Sequence, residues 1–413
     1  MTLPLHTQVE GFRNKNNRLH VGDFDVVEHY RRHHSQPTYY YFAALVADRI
    51  EQIRRHLDSR VHLHYAIKAN SYPDLVRFVG ARVDGLDVAS AQELSVALTT
   101  DIPPKRIGFA GPGKSHEDLE SAINAGITLN VESTTELKRI AEIQAGSETQ
   151  ANISLRVNPD IQLKASGMKM SGGSSPFGID SELIPNAIKQ AKELGLEVRA
   201  FHIFCGSQSL SEEAIIECHS AAYELAMDLS SSLDEPLEHI NLGGGLGIPY
   251  FPGEERIDPT NIVANLNKLA DRFQAHSENG HLVVELGRYL VGEAGIYLCT
   301  ITDKKESRGK TILVTNGGLH HHLAASGNFG QVLRKNYPVL VASHIDSAYE
   351  PIAADAVGPL CTPLDLLASN MEIGHAEIGD VVAVFQSGAY GFTASPHAFL
   401  SHPLPDQTLV ESR

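Results

Sequence analysis

His62-Leu63-His64-Tyr65-Ala66-Ile67-Lys68-Ala69-Asn70 is a short apolar run that closes on one lysine. It reads as a buried strand with Lys68 at its end. A lysine held there has its amine partly out of water, and desolvation leaves it nucleophilic, as Schiff-base chemistry requires. The same residues also fit a lysine that simply extends into solvent from a strand end. The sequence around the run decides between the two.

Runs of the same kind recur: GLDVAS (85–90), RIGFAG (106–111), TLNVES (128–133), NISLRVNP (152–159), EVRAFHIFCG (197–206), HINLGGG (239–245) and HLVVELG (281–287). Helix-like segments lie between them, such as SAQELSVALTT, SHEDLESAINAG, STTELKRIAEIQAG and ELIPNAIKQAKELG. Several open on serine and two end on glycine, as helix caps do. With the HLHYAIKA run, this makes eight strands alternating with helices, which predicts an α/β chain built on a (β/α)8 barrel over residues 44–290. A doubly wound open sheet would show the same alternation and is the alternative. In the barrel, chemistry gathers at the C-terminal ends of the strands. Lys68, Ser90, Arg156, Gly243, Gly244, Gly245 and Glu285 all fall at or just past such ends.

After about residue 290 helical periodicity thins out. GIYLCTITDKKESRGKTILVTNGG reads as two strands joined by a polar turn, and HAEIGDVVAVFQSGAYG gives another strand. A β-rich second domain is expected from residues 291–413 together with 1–43. Residues 158–177 (NPDIQLKASGMKMSGGSSPF) lack a period and are expected to form a long loop, functional or mobile.

A chain of 413 residues is too long for one ordinary core, which agrees with two domains. No apolar run is long enough to span a membrane, and the first residues lack the apolar core of a signal peptide. Cys205, Cys218, Cys299 and Cys361 show no CxxC spacing. A cytoplasmic protein with reduced thiols is expected. The net charge of −16 argues against a nucleic-acid binder.

Gly243, Gly244 and Gly245 lie between the seventh strand and the next helix, where backbone amides can close on a phosphate. They also fit a plain tight turn. Glu285 at a barrel mouth can bond a protonated ring nitrogen, and Arg288 can pair with a phosphate; a local Glu–Arg ion pair is the simpler reading. Arg156 ends an apolar strand and needs an anion or a structural carboxylate. Asp87 and Ser90 end strand two, where Ser90 also fits a helix N-cap. His202 and Phe204 read by themselves as core residues. Cys361 stands in a Gly-Pro-rich loop, where a thiol can serve as proton donor, and Tyr390 sits on a glycine-flanked turn. His320, His321 and His322 cannot all face one ion from a regular strand or helix, so no metal is expected.

Taken together, YAIKAN, DVASAQEL, FAGPGK, SLRVNPD, GSQ, NLGGGLG, ELGR, GPLCTPLD and SGAYG resemble the alanine-racemase-fold (fold type III) pyridoxal-phosphate decarboxylases, the group of the diaminopimelate, ornithine and arginine decarboxylases. The resemblance runs from about Tyr39 to His402. It implies a pyridoxal 5'-phosphate enzyme that releases carbon dioxide from the α-carbon of an amino acid. Lys68 would carry the cofactor. Gly243, Gly244, Gly245, Arg288 and Tyr390 would hold its phosphate, and Glu285 its ring nitrogen. Asp87, Arg156, Phe204 and Ser207 would complete the cofactor site. Cys361, from the other subunit of a homodimer with shared sites, would protonate the α-carbon. Arg334, Tyr337, Thr362 and Asp365 would meet the substrate. An arginine in place of Glu285 would favour racemisation, so Glu285 favours decarboxylation.

Three positions depart from the family pattern. Phe204 stands where the family has a histidine stacked on the cofactor ring, with His202 two residues earlier. Pro176 replaces a lysine before Phe177-Gly178. Thr362 follows Cys361 where relatives acting on basic or diamino substrates carry an acid, and a threonine cannot neutralise a distal amine. These departures resemble two subgroups: the butirosin-pathway decarboxylase of a carrier-tethered glutamyl group, and the decarboxylases associated with exosortase A systems. An aminoacyl group on an acyl carrier protein is therefore one expected substrate, and a free diamino acid (diaminopimelate, lysine or ornithine) the alternative. A non-catalytic cofactor carrier or regulator is the alternative from another class.

Overall fold

The computed structural model describes residues 5–160, 166–169, 173–331, 333–345, 353–373 and 375–411. The loop expected over 158–177 lies partly outside them. Backbone contacts divide the chain into a barrel unit, Arg49–Ile248 with Ile257–Gly287, and a sheet-rich unit, Met1–Asp48 with Pro249–Arg256 and Arg288–Arg413.

All eight expected runs form strands of one parallel sheet: β1 (Val61–Ala66), β2 (Gly85–Val88), β3 (Ile107–Phe109), β4 (Thr128–Val131), β5 (Asn152–Asn158), β6 (Val198–Ile203), β7 (His239–Asn241) and β8 (His281–Leu286). Each pairs with the next, β8 pairs with β1, and the sheet is a closed barrel rather than an open one. Parallel strands covered on both faces need near-continuous apolar runs, which is why they stand out in the sequence. Serine caps start the intervening helices: Ser90 accepts from the amide of Glu93, Ser133 from Glu136 and Ser211 from Ala214. Ser115 forms a full capping box with Asp118, and Gly126 ends that helix in the left-handed region.

Strand pairing sets the interior of the barrel. Arg156 on β5 lies in register with His202 on β6, and His202 with Asn241 on β7. Glu285 on β8 lies in register with His64 on β1, and Ala66 with Asp87 on β2. Strand β1 is shorter than expected. It stops at Ala66, and a 3-10 turn over Ile67–Ala69 carries Lys68.

In the sheet-rich unit, Gly295–Ser307 is the longest strand. It pairs antiparallel with Thr38–Phe42, Lys310–Thr315 and Val381–Val384. The expected polar turn is Arg308-Gly309, both at positive φ. The first residues add the strands Phe12–Lys15, Arg18–Val21 and Phe24–Asp25. Pro249–Arg256 falls within the stretch expected to belong to the barrel but joins this unit. Arg256 pairs with Glu293 and with Glu10, and the Tyr250 ring stands 4.6 Å from Tyr337.

The core of this unit is aromatic. Phe42 is fully buried, with edge-on contacts to Phe12 at 5.4 Å and Phe24 at 6.1 Å. Phe42→Ala is expected to cost about 3–5 kcal/mol in urea unfolding. A loss under about 1 kcal/mol would mean that the cluster is loosely packed.

Candidate active site

Glu285 ends β8 deep in the barrel. Its Oε1 accepts a 2.6 Å hydrogen bond from Nδ2 of Asn241, and Nε2 of His202 lies 3.2 Å from the same oxygen. Burial opposes ionisation of this carboxyl, but His202, Lys68, Asn241 and Arg156 outweigh it and its pKa is lowered. Burial also holds His202 at about 4, against the pull of Glu285. The carboxylate and the imidazole therefore titrate against each other, with Asn241 as the amide donor beside them. His202, which by itself reads as a core residue, belongs to the site.

Asp87 on β2 is the opposite case. Burial and the charge of Glu285 push its carboxyl up to about 6, and His64 Nδ1 stands 3.3 Å away. A Cβ at Gly108 would come within 2.7 Å of Asp87 Oδ1, so the neighbouring strand needs a glycine there. Lys68 differs from expectation. It is exposed, because the 3-10 turn after β1 carries it out of the apolar strand. Its positive charge favours the ionised forms of Asp87, Glu93 and Glu285. Its Nζ also stands 5.6 Å from the Phe204 ring centroid.

The glycine run after β7 is tightly specified. Gly243 and Gly245 have positive φ, and a Cβ on Gly244 would overlap the carbonyl oxygen of Glu285. The loop carbonyls are all engaged: Gly243 accepts from the amide of Glu285, Gly244 from the His219 ring and Gly245 from the amide of Ser209. The amides of Gly244 and Gly245 have no hydrogen-bond partner among the described residues. Gln208 ties this loop to the Gly206-Ser207-Gln208 stretch, donating to the carbonyl of Ile248 and accepting from its amide. Ser207 is thereby held beside the glycine run, on the strand Gly206–Ser209.

Arg156 finds a structural carboxylate. Its Nη1 donates to Glu132 Oε1 at 2.8 Å, and its guanidinium lies 5.0 Å from the Phe177 ring. Glu132 also accepts from the amides of Gly111 and Gly178. Gly178 of the Pro176-Phe177-Gly178 stretch is thus held by a carboxylate just past the end of another strand. Buried Lys114, from FAGPGK, pairs with Glu136 at 2.6 Å. No local pattern announces these partners.

In the sheet-rich unit, Arg288 donates to Tyr250 Oη at 2.9 Å and lies 4.6 Å from the Tyr390 ring centroid, and its Nε has no hydrogen-bond partner among the described residues. Tyr390 takes φ of 57°, a conformation that non-glycine residues rarely adopt. Tyr337 packs on Tyr250 and Phe251, while Arg334 is exposed and donates to the carbonyl of Leu366. Cys361 is exposed on its loop, with Thr362 half-buried beside it. Asp365, expected at the substrate, is buried instead. Its two oxygens accept the amides of Leu319 and Leu360, so it braces the Cys361 loop from within. His321 and His322 are engaged by Tyr297 and Ser387.

Chemically, the barrel mouth offers an amine, a buried anionic carboxylate suited to a protonated ring nitrogen, and free amides suited to a phosphate. Two outcomes follow for the molecule. Glu132→Ala leaves Arg156 buried without its carboxylate and is expected to cost about 3–5 kcal/mol in thermal or urea unfolding. A cost near zero would mean that water answers Arg156 instead. Stability should also fall as pH drops from 6.5 to about 4. The unfolded chain protonates His202 and His219 near 6.5, whereas burial holds both at about 4 in the fold. Each ring contributes on the order of 1 kcal/mol per pH unit. Asp87 works in the other direction, since its buried carboxyl costs stability as pH rises from about 4 to about 6. Denaturant midpoints across this range test the balance. His219→Gln should flatten the slope, and an unchanged slope would remove His219 from the account.

The pyridoxal-binding-domain model of the pyridoxal-dependent decarboxylases matches residues 43–292. The chain is 31% identical over 378 residues to the L-glutamyl-[BtrI acyl-carrier protein] decarboxylase of Niallia circulans, covering 90% of this chain and 88% of that protein. It is 31% identical over 386 residues to the diaminopimelate decarboxylase of Aquifex aeolicus, covering 91% and 87%. The crystal structure of diaminopimelate decarboxylase from M. jannaschii superposes with a TM-score of 0.86 at 25% identity, covering 98% of this chain and 93% of that one. The match spans the whole barrel and its strand-end residues, and the chain belongs to the pyridoxal-dependent decarboxylases, carboxy-lyases whose cofactor is pyridoxal phosphate.

Proposed function

We propose that the protein is a homodimeric decarboxylase of an α-amino acid whose far end carries no cation, with an aminoacyl group on an acyl carrier protein as the leading substrate. The observation that carries this reading is the Cys361 loop. Thr362 stands where an acid would pair with a distal amine, and Asp365, the nearest carboxylate in the loop, has both oxygens on backbone amides. A distal ammonium buried there would have no carboxylate to answer it. The relative acting on a carrier-bound glutamyl group supports the same reading.

The residues fit the cofactor. The amides of Gly244 and Gly245, unpartnered among the described residues, suit its phosphate, and the family resemblance assigns Arg288 and Tyr390 to the same group. Anionic Glu285 suits its protonated ring nitrogen, and Phe204 offers a ring face in place of the family histidine. When bound, pyridoxal phosphate accepts the electron pair left on the α-carbon as carbon dioxide departs. Lys68 would hold the cofactor through its amine. Arg156, fixed by Glu132, orders the wall beside Asp87 and Glu285. The partner subunit's Cys361 supplies the proton that the α-carbon takes up, and solvent restores it.

Carbon dioxide release should be measured with pyridoxal phosphate on free lysine, ornithine, arginine, glutamate and diaminopimelate, and on a glutamyl carrier protein. Release from the carrier-bound substrate alone is expected. Brisk release from a free diamino acid would sink the tethered-substrate reading. Lys68→Ala should lose release by several orders of magnitude together with the borohydride-fixed mass on its peptide. If turnover survived that change, the assignment of Lys68 would be wrong.

A further inference from the structure

A cavity of about 820 Å³ opens at the N-terminal ends of the barrel strands, the end away from Lys68 and the glycine run. That volume is in the range of small-molecule sites. His62 is the second residue of β1, and His239 and His281 open β7 and β8. Their rings stack in one row, His62 on His281 at 4.0 Å and His281 on His239 at 5.3 Å. Stacked faces do not converge nitrogens on one point, and among the described residues no three such side chains are arranged to hold a metal ion. The rings sit close enough to oppose one another's protonation. Burial holds His62 at about 4, His239 at about 3 and His281 at about 2, with the neighbouring imidazoles adding to it.

The rim above them is unevenly neutralised. Arg60 is paired with Asp58 and Asp271, and Arg199 with Glu197 and Glu238. Lys105 and Arg106 line the same cavity, are exposed, and form no ion pair among the described residues. The positive charge of Arg106 is felt by His62 and His281. Two exposed carboxylates line the cavity, Glu238, which pairs with Arg199, and Glu278. Deeper in, Nδ1 of His62 and Nε2 of His64 are buried without a hydrogen-bond partner among the described residues, and the lining continues to Asp87 and Asn241. On a chain of net charge −16, this gathers hydrogen-bond donors and two unneutralised cations in one recess.

We propose that the N-terminal end of the barrel is an oxyanion site, taking a small phosphate or multivalent carboxylate between the Lys105–Arg106 pair and the imidazoles of His62, His239 and His281. The cations attract the ligand, and the imidazole N–H groups donate to it. An anion there also offsets the mutual repulsion of the rings, which favours their protonation. The site needs nothing from the decarboxylation chemistry and lies at the opposite end of the strands.

The test uses the holoenzyme, so that the cofactor's own phosphate position is filled. Inorganic phosphate and citrate are titrated separately to about 10 mM, with sodium chloride of equal ionic strength as reference. Histidine ring signals are followed by NMR and assigned with His239→Gln and His281→Gln. Saturable shifts of these signals with phosphate, or with citrate, support the proposal and tell the two sources apart. Shifts no larger than the salt reference with both would overturn it. Lys105→Ala combined with Arg106→Ala changes two exposed side chains and should weaken binding at least ~10-fold; unchanged binding would also overturn it. Glu278→Gln should bind as tightly as the parent or more so, and weaker binding would count against the proposal.

Discussion

A carboxylate inside a barrel has to be answered by the strands beside it, and Glu285 is answered on every side. Asn241 donates to it from β7, and His202 approaches it from β6. Burial alone would neutralise it; these neighbours and the charge of Lys68 keep it ionised. Each of them is placed by register, so the charge depends on the sheet being closed in this alignment. The backbone of Glu285 matters as much. Its amide bonds to Gly243, and its carbonyl leaves no room for a side chain on Gly244. The carboxylate suited to the ring nitrogen and the loop suited to the phosphate are therefore one construction.

Glu285 and Asp87 show how one barrel interior separates two like groups. Both are buried. Glu285 has an amide donor and nearby cations and stays anionic, while Asp87 is pushed up to about 6 by burial and by Glu285 itself. Environments that drive two carboxyls apart assign them different work. Glu285, kept anionic, is the carboxylate suited to face a protonated ring nitrogen, and Asp87 is the carboxyl that takes up a proton more readily.

The barrel was legible in the sequence because strands buried on both faces must be apolar throughout, and because serines and glycines mark the helix ends between them. The residues at strand ends were legible for the same reason, since Lys68, Arg156 and Glu285 are charged residues closing apolar runs. What stayed hidden was whatever depends on register or on a returning loop. Arg156 and Glu132 are 24 positions apart and meet because β4 and β5 are neighbours. Gln208 staples Ile248 across 40 positions. Lys68 is exposed because β1 ends two residues early, a boundary that no pattern marks. Pro249–Arg256 joins the sheet-rich unit through Arg256, whose partners Glu10 and Glu293 lie far from it in sequence.

Asp365 shows the same limit and bears on selectivity. In sequence it is an acid near a cysteine, which fits a group for a substrate amine. In the fold its oxygens are taken by two amides, and Gly318 and Gly358 press so close that any side chain there would collide with it. Freeing it for a substrate would strand those amides, at roughly the desolvation cost of each. A carboxylate so engaged braces the Cys361 loop from within, and the residue that follows Cys361 is Thr362, a neutral group. A site that answers a distal ammonium rejects analogues lacking it strongly, because its own buried acid is then left unpaired. On the proposed reading, a site with Thr362 has no such acid to leave unpaired, so a neutral thioester-linked chain would enter without that penalty, while a cation would bear the full cost of losing water.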